Sequence, residues 1–420
     1  MGNHTHQPTA TAPSDPLGGY EGEARPLTRE RGVGGGLLLL LLTGSMFLTV
    51  TSANMLTPLL VELAGEFHTS VGAMGQLSAA AAVPWALLAP LMGALSDRFG
   101  RRPLLAFAVG TLGVATFLSA MAWDYGSMLV IRVIGGIGGA GTGPNIMSSA
   151  ADHFPPNRRG TALGAVMGAV SLATVIGVPA VAVVVVFVGW RAAFAMMGLL
   201  LMATAIVIYT CFPRSKPGAV YDSGYLTQFR SALQEPPIRL LLLANALERA
   251  AFTTGSTYLA AFLIQSYSLG LEQVAPALSA TAAGTILGSL LGGKLADRGK
   301  RPTLVYAGFQ LVAAAIVLPL FATTPGVVAT ILMATSFGLA SSLARPSWMW
   351  MVSQVPESRR GATMGFTATT NQVGLMIGAA VGGLLLALWG YAALGVQACC
   401  TSLAAAACCA VAARMKGRAG

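Results

Sequence analysis

GALSDRFGRRP, residues 93–103, gathers Asp97, Arg98, Arg101 and Arg102 into six positions directly after a nearly unbroken apolar run, in a chain of which only 10% is charged. About two hundred residues later GGKLADRGKRP, residues 292–302, follows another apolar run in the same way. One charged cluster behind a greasy segment can arise by chance. A second, in register with the first, calls for a mechanism.

The composition around these clusters sets the solvent. The chain has 420 residues, 55% of them hydrophobic, with mean hydropathy +0.69. A soluble protein carries about 25% charged residues. This chain cannot clothe a water-facing surface, so it reads as a polytopic membrane protein. Twelve apolar spans follow, at 37–61, 72–95, 103–122, 127–149, 160–187, 191–212, 239–265, 274–296, 303–321, 326–350, 361–388 and 391–413. Each is near or above the ~20 residues with which a helix crosses a ~30 Å hydrocarbon core. Lipid offers no partner to a bare backbone, and the alternation of a membrane barrel is missing, so the spans are helices.

Charge placement gives the orientation. With the N-terminus in the cytoplasm, 21 of the 25 Lys and Arg residues fall on that side: in the first tail, in the loops after spans 2, 4, 8 and 10, in the central loop and its flank, and at the C-terminus. The opposite loops hold only Arg191. This is the positive-inside pattern of an inner-membrane protein with both ends cytoplasmic. The net charge of +10 is thereby topological and gives no reason to expect nucleic acid as a partner. Residues 1–36 are polar, rich in Pro, Gly and Thr, and are expected to be a disordered tail. His4 and His6 in that tail make no metal site, and the five cysteines, at the end of span 6 and within span 12, imply no disulfide framework.

The clusters belong to a longer repeat. PPNRRGTALG (155–164) matches PESRRGATMG (356–365), and FVGWRAAF (187–194) matches ALWGYAAL (387–394). Three landmarks in the same order at one offset describe a duplication: a tail (1–36), a six-helix bundle (37–212), a cytoplasmic linker (213–238), a second six-helix bundle (239–413) and a short tail (414–420). Duplicated halves are how many secondary carriers build a midplane site that opens to either side.

On these residues the chain resembles the major facilitator superfamily. GALSDRFGRRP is similar to that family's loop 2–3 signature, G-x-x-x-D-R/K-x-G-R/K-R/K, and RVIGGIGGA (132–140) to its span 4 motif of an Arg followed by spaced glycines. SLATVIGVPA (171–180) and the following GWRAAF resemble the drug and sugar efflux branch, which includes arabinose-efflux-like permeases and chloramphenicol exporters. The resemblance covers about residues 37–413. It implies an all-α membrane fold of twelve helices in two pseudo-symmetric bundles, acting as a monomer in contact with membrane lipid. It also implies a gate, with Asp97, Arg98 and Arg101 as a latch while the cytoplasmic side is closed, and Asp297 and Arg298 as its weaker copy, one residue shorter. In exporters of this family a Gly/Pro-rich span 5 accompanies proton antiport. This span has Gly177 and Pro179 but lacks the Gly-Pro dipeptide.

Glycines suggest where helices meet. Gly160, Gly164 and Gly168 in span 5, and Gly374, Gly378 and Gly382 in span 11, recur at four-residue spacing. Such small-xxx-small faces let helices approach closely in lipid, although glycine is common in membrane helices generally. Charges inside spans are the sharper signal. Glu248 and Arg249 lie about ten residues into span 7, or ~15 Å at 1.5 Å per residue, near the midplane. Insertion scales put each such charge at roughly +2.5 to +3.5 kcal/mol, so it needs a partner or a wet cavity. Glu248 is thus the proton-coupling candidate, with Arg132 of span 4 as its assistant, against the simpler reading of a static Glu–Arg pair. Asn54, Asn145, Asn245, Arg249 and Asn371 are expected to line the substrate cavity, whereas Arg345 is expected to snorkel to the interface.

These readings converge on a secondary carrier exporting a small amphipathic organic compound, a drug or metabolite, in exchange for protons. A membrane potential supplies ~2.3 kcal/mol per charge per 100 mV. A proton symporter or facilitator for an organic anion is the closest alternative, and a non-transporting receptor on a carrier fold is the second. No nucleotide-binding G-x-x-x-x-G-K-[ST] loop, catalytic triad or metal-ligand cluster is present in the sequence, so neither an enzyme nor a cofactor is expected.

Overall fold

Each apolar span becomes helix because nothing else satisfies its backbone in lipid. In the computed structural model, residues 1–2, 35–213, 234–298, 301–355 and 357–418 are described. By contact the chain divides into Met1–Gly32 and Val33–Gly420, and the fold is that of the second unit. Span 1 is α1 (Gly35–Asn54), a 3-10 turn (Thr57–Leu59) and α2 (Leu60–Glu66), broken where Pro58 withholds a backbone donor. Spans 2, 3 and 4 are α3 (Val71–Phe99), α4 (Arg101–Ser119) and α5 (Tyr125–His153). Spans 5 and 6 run together as α6 (Pro156–Leu172), a π-helical turn (Ala173–Gly177) and α7 (Val178–Cys211). The second half supplies α8 (Pro236–Tyr267), α9 (Leu271–Arg298), α10 (Pro302–Ala322), α11 (Val327–Ser353), α12 (Glu357–Trp389) and α13 (Tyr391–Arg418). No strand occurs among the described residues.

Two left-handed glycines mark chain reversals near the FVGW and ALWG landmarks. Gly189 (φ 78°) breaks α7 into the end of span 5 and span 6, and Gly390 (φ 73°) turns the chain between α12 and α13 at the equivalent point of the second copy. Only a residue without a Cβ adopts that left-handed conformation freely. Among the described residues, nine helical stretches are long and apolar enough to cross a bilayer, one of them the 54-residue Arg158–Cys211 that Gly189 divides in two. α5 and α8 fall outside that set although they are 29 and 32 residues long. They are less apolar because they carry Arg132 with its glycine run and the Asn245–Glu248–Arg249 stripe. All twelve expected spans are therefore helical, with spans 5 and 6 joined. The last helix continues to Arg418, into what the sequence suggested was a tail.

Within the first half α4 packs on α5 and α7, and α3 on α5; within the second, α10 packs on α11 and α13, α9 on α11, and α8 on α12 and α13. The halves join where α3 lies along α12 and where span 5 meets α9. The cores differ at the two ends. Near the charge-poor end, one hydrophobic core joins Leu59, Met74 and Phe194 of the first half to Leu259, Phe262 and Phe337 of the second. Toward the basic end each half has its own core, one around Leu42, Leu105 and Ile146 and another around Leu241, Tyr306 and Trp348. The chain is closed at the charge-poor end and has separate half-cores at the other.

Glycine placement refines the sequence reading. Gly374 and Gly378 lie against α8: a Cβ on Gly378 would stand 2.5 Å from the Ala250 carbonyl oxygen and 2.9 Å from Thr253 Cβ. Gly177 packs on Thr51 of α1, and Pro179 is buried beside it. Gly164 and Gly168 correct the expected interface, because among the described residues nothing stands within 4 Å of either Cβ position. They lie on the stretch of span 5 nearer the basic end, where the halves share no core. Gly378→Leu, which pushes against backbone that cannot give, is expected to cost about 1–3 kcal/mol or block folding. Gly164→Leu should be near neutral. Thermal unfolding of the two purified variants in detergent checks the pair, and equal losses would mean that the α8–α12 contact is not the constraint.

Candidate functional site

Between the halves lies a cavity of about 420 Å³. Asn54, Trp85 and Arg132 face it from α1, α3 and α5; Arg249 and Phe252 from α8, Arg345 from α11, and Asn371 and Gln372 from α12. Its position follows from the sequence. Polar residues on otherwise greasy helices are tolerated only where they meet each other or water, so helices from both halves turn those faces inward.

Glu248 is the centre of the polar network. Its side chain is 4% exposed and accepts a hydrogen bond from Arg249 Nε at 2.7 Å and a second from the Arg249 Nη2 group. Arg345 Nη1 approaches the same carboxylate at 3.4 Å, while its Nη2 stands 3.4 Å from Asn371 Oδ1. Asn245, one turn earlier on α8, is buried; it donates to Asn371 Oδ1 at 3.0 Å and Thr370 Oγ1 at 2.8 Å, which holds Asn371 in place from behind. Tyr306 of α10 lies within electrostatic range of Glu248, Arg249 and Arg345, and its hydroxyl donates to the Ala244 carbonyl. The Arg249 guanidinium also stacks 4.8 Å from the centre of the Phe252 ring. Spans 7, 10 and 11 are thereby tied by one carboxylate and two guanidiniums.

Arg132 stands apart from this network. Its guanidinium lies 5.2 Å from the centre of the Phe194 ring, and its Nε and Nη2 are buried with no hydrogen-bond partner among the described residues. A cation resting on an aromatic face gains some stabilisation, yet these two donors remain without an acceptor among the described residues.

The remaining sequence-expected residues fall in several places. Asn54 faces the cavity and donates to the Val50 carbonyl of its own helix. Asn145 is fully buried, donates to the Gly141 carbonyl, and is not among the described residues lining the cavity. Arg345 does not snorkel: Glu248 and Asn371 draw it into the cavity instead. Arg98 is exposed and lies over Phe99, and Arg101 donates to Asp152 Oδ2 and Ser96 Oγ, both at 3.0 Å, which ties α3 and α4 to the end of α5. The side chains of Asp97, Asp297 and Arg298 lie outside the described residues.

Other residues escaped the linear reading. Trp85 and Phe252 give the cavity its apolar walls, and an isolated aromatic in a greasy helix carries no sign of which way it faces. Gln76 donates to the Ala380 carbonyl at 2.8 Å across the α3–α12 seam, beside Gly72 and Gly383, whose backbones nearly touch. Ser279 of α9 donates to the Val175 carbonyl in the π-helical turn of span 5 at 3.1 Å. Both contacts join the halves near the charge-poor end. Gln76 is the one amide side chain of its span, which is a faint signal, whereas Ser279 is one of several hydroxyl residues in span 8 and nothing in the sequence singles it out.

Comparison with known proteins matches residues 42–355 to the Major Facilitator Superfamily. The chain is 28% identical over 342 residues to a chloramphenicol resistance protein of Streptomyces lividans, covering 80% of this chain and 85% of that one. It is 28% identical over 330 residues to the inner membrane transport protein YdhP of Escherichia coli O157:H7, covering 78% and 83%. Among solved structures it resembles a bacterial homolog of the human lysosomal transporter Spinster in an inward-facing, unoccupied conformation, with a TM-score of 0.74, 18% identity, and coverage of 91% and 96%.

Proposed function

Since this chain belongs to the Major Facilitator Superfamily and is a multi-pass membrane transporter, we propose that it carries a small amphipathic organic compound by alternating access, coupled to protons that Glu248 takes up and releases. One observation carries this reading. Glu248 is a buried carboxyl held by Arg249 and Arg345, which line the cavity between two halves with separate cores at one end. A carboxyl between two movable halves can exchange its proton with whichever side the cavity faces, and its arginine partners report its charge to the substrate position.

With the basic end read as cytoplasmic from the positive-inside pattern, the end with separate half-cores is the inner one in this reading. Export in exchange for protons is the first reading of direction, supported by likeness to a chloramphenicol resistance protein of Streptomyces lividans. Joint movement of an organic anion and a proton is the second, favoured by the surplus of arginines around one acid. The test is accumulation in reconstituted vesicles under an imposed pH gradient, screened over drugs and metabolites. Accumulation that follows the gradient supports coupling, and its sign selects between the two directions. Substrate equilibration that ignores the gradient for every compound carried would mean a facilitator and leave Glu248 a structural role.

A further inference from the structure

With Glu248 taken as the proton carrier, on which this step rests, the cavity still holds more positive charge than it can pair. Arg132, Arg249 and Arg345 all line it, and Glu248 is the one carboxylate bonded to any of them among the described residues. The pairing is uneven. Arg249 grips Glu248 through two donors, Arg345 reaches it only at 3.4 Å, and Arg132 has two buried donors with no partner. Partly buried guanidiniums left short of acceptors carry a cost, and an arriving acceptor recovers part of it.

We propose that the substrate is an organic anion with an apolar, flat body. Its anionic group seats at Arg345 and Asn371, which Asn245 holds in place, and it takes up the hydrogen-bonding capacity that Glu248 only partly fills. Its body lies between Trp85 and Phe252, and Arg132 meets it from the other half. A cavity of about 420 Å³ is within the range that encloses a small organic ligand. Because Arg132 belongs to α5 and Arg345 to α11, the anion touches both halves at once, as a substrate must if it is to govern their relative movement.

The sign of coupling follows. Among the described residues, the charged groups bonded to Glu248 are Arg249 on its own helix and Arg345 from α11, while Tyr306 of α10 is electrostatically coupled to Glu248 and to Cys409 of α13. Ionised Glu248 and the anion compete for Arg345, and they repel one another. Protonated Glu248 gives up its claim. Anion and proton therefore favour each other's binding, and by reciprocity each raises the other's affinity by the same factor. For an anionic substrate this selects joint movement, the second of the two directions above, in place of exchange.

The test uses four probes of one shape on the full-length protein in detergent: naphthoate, naphthalenesulfonate, naphthamide and naphthylmethylammonium. Thermal stabilisation and direct titration should rank both anions at least about tenfold above the amide and the ammonium, the scale of one charge-assisted hydrogen bond. Affinity for the sulfonate, which stays ionised throughout, should rise as pH falls. In Glu248→Gln it should be high and pH-independent. Arg345→Gln should lose the preference for anions, and Arg345→Lys, which keeps the charge, should retain part of it. A preference for the amide or ammonium overturns the proposal, as does failure of the whole panel to bind, or anion binding that both Arg345 variants leave unchanged. The two readings fail separately. An amide or ammonium that binds and moves protons removes the anion while leaving the coupling reading in place. An anion that binds and crosses without protons retains the substrate class and removes Glu248 as carrier.

Discussion

A Glu248→Gln carrier is expected to exchange substrate across the membrane within a few-fold of the wild-type rate, and to accumulate none of it. Glutamine has nearly the shape of glutamate, and its carbonyl still accepts from Arg249, so the α8–α11–α12 network keeps a connection. What it lacks is a titrating proton. Because one unit of pH is worth 1.36 kcal/mol per proton, a one-unit gradient can sustain about tenfold accumulation for each proton coupled. Wild type should approach that ratio, and the variant should stop at equality. Counterflow, in which labelled substrate exchanges against unlabelled substrate, should survive. The split between lost accumulation and retained exchange is what separates a proton carrier from a purely structural glutamate. A structural role predicts that both fall together with folded yield.

Gly72→Val should have the second largest effect, and on the conformational equilibrium rather than on folding. Gly72 sits on α3 against Gly383 of α12, where a Cβ would collide with the Gly383 carbonyl oxygen and come within 3.2 Å of Ala387 Cβ. Backbone atoms at both sides leave little room for adjustment. This contact joins the two halves at the charge-poor end, beside the Gln76–Ala380 hydrogen bond, so it exists only while that end is closed. An overlap of about 1–3 kcal/mol penalises the closed form alone and shifts the population toward the opposite opening by roughly 5–150-fold. Turnover should fall accordingly. A cysteine placed at Asn54, which faces the cavity, should react faster with an impermeant maleimide applied from the charge-poor side. Unchanged labelling with normal turnover would show that the Gly72–Gly383 approach is not part of the closing surface.

The sequence made the fold legible because the bilayer removes most alternatives. Apolar length set the helices, Gly189 and Gly390 fell at the corners that the repeat FVGW/ALWG marks, and the repeated charge clusters signalled two halves. The site was legible only in part. Glu248 and Arg249 stood out by their cost in lipid, and the structure brings them to Arg345 and Asn371. Arg345 was misread because its distance from the helix end says nothing of the direction its side chain takes, and the partner that turns it inward lies 97 residues earlier. Asn145 shows the converse: a polar residue beside Pro144 can satisfy itself on its own helix, at the Gly141 carbonyl, and never reach the cavity. Gly164 and Gly168 have the spacing of an interface, yet among the described residues nothing packs within 4 Å of either Cβ position. Periodicity identifies a face, and only packing says what the face meets.

The most direct measurement is substrate-triggered proton movement in sealed vesicles with no gradient imposed. A compound that the protein carries is added outside, and a trapped pH dye reports the interior. Coupling through Glu248 predicts a pH change in wild type whose sign gives exchange or joint movement, and none in Glu248→Gln while the compound still crosses. A pH change of wild-type size in Glu248→Gln, or passage through wild type with no pH change at all, would contradict it.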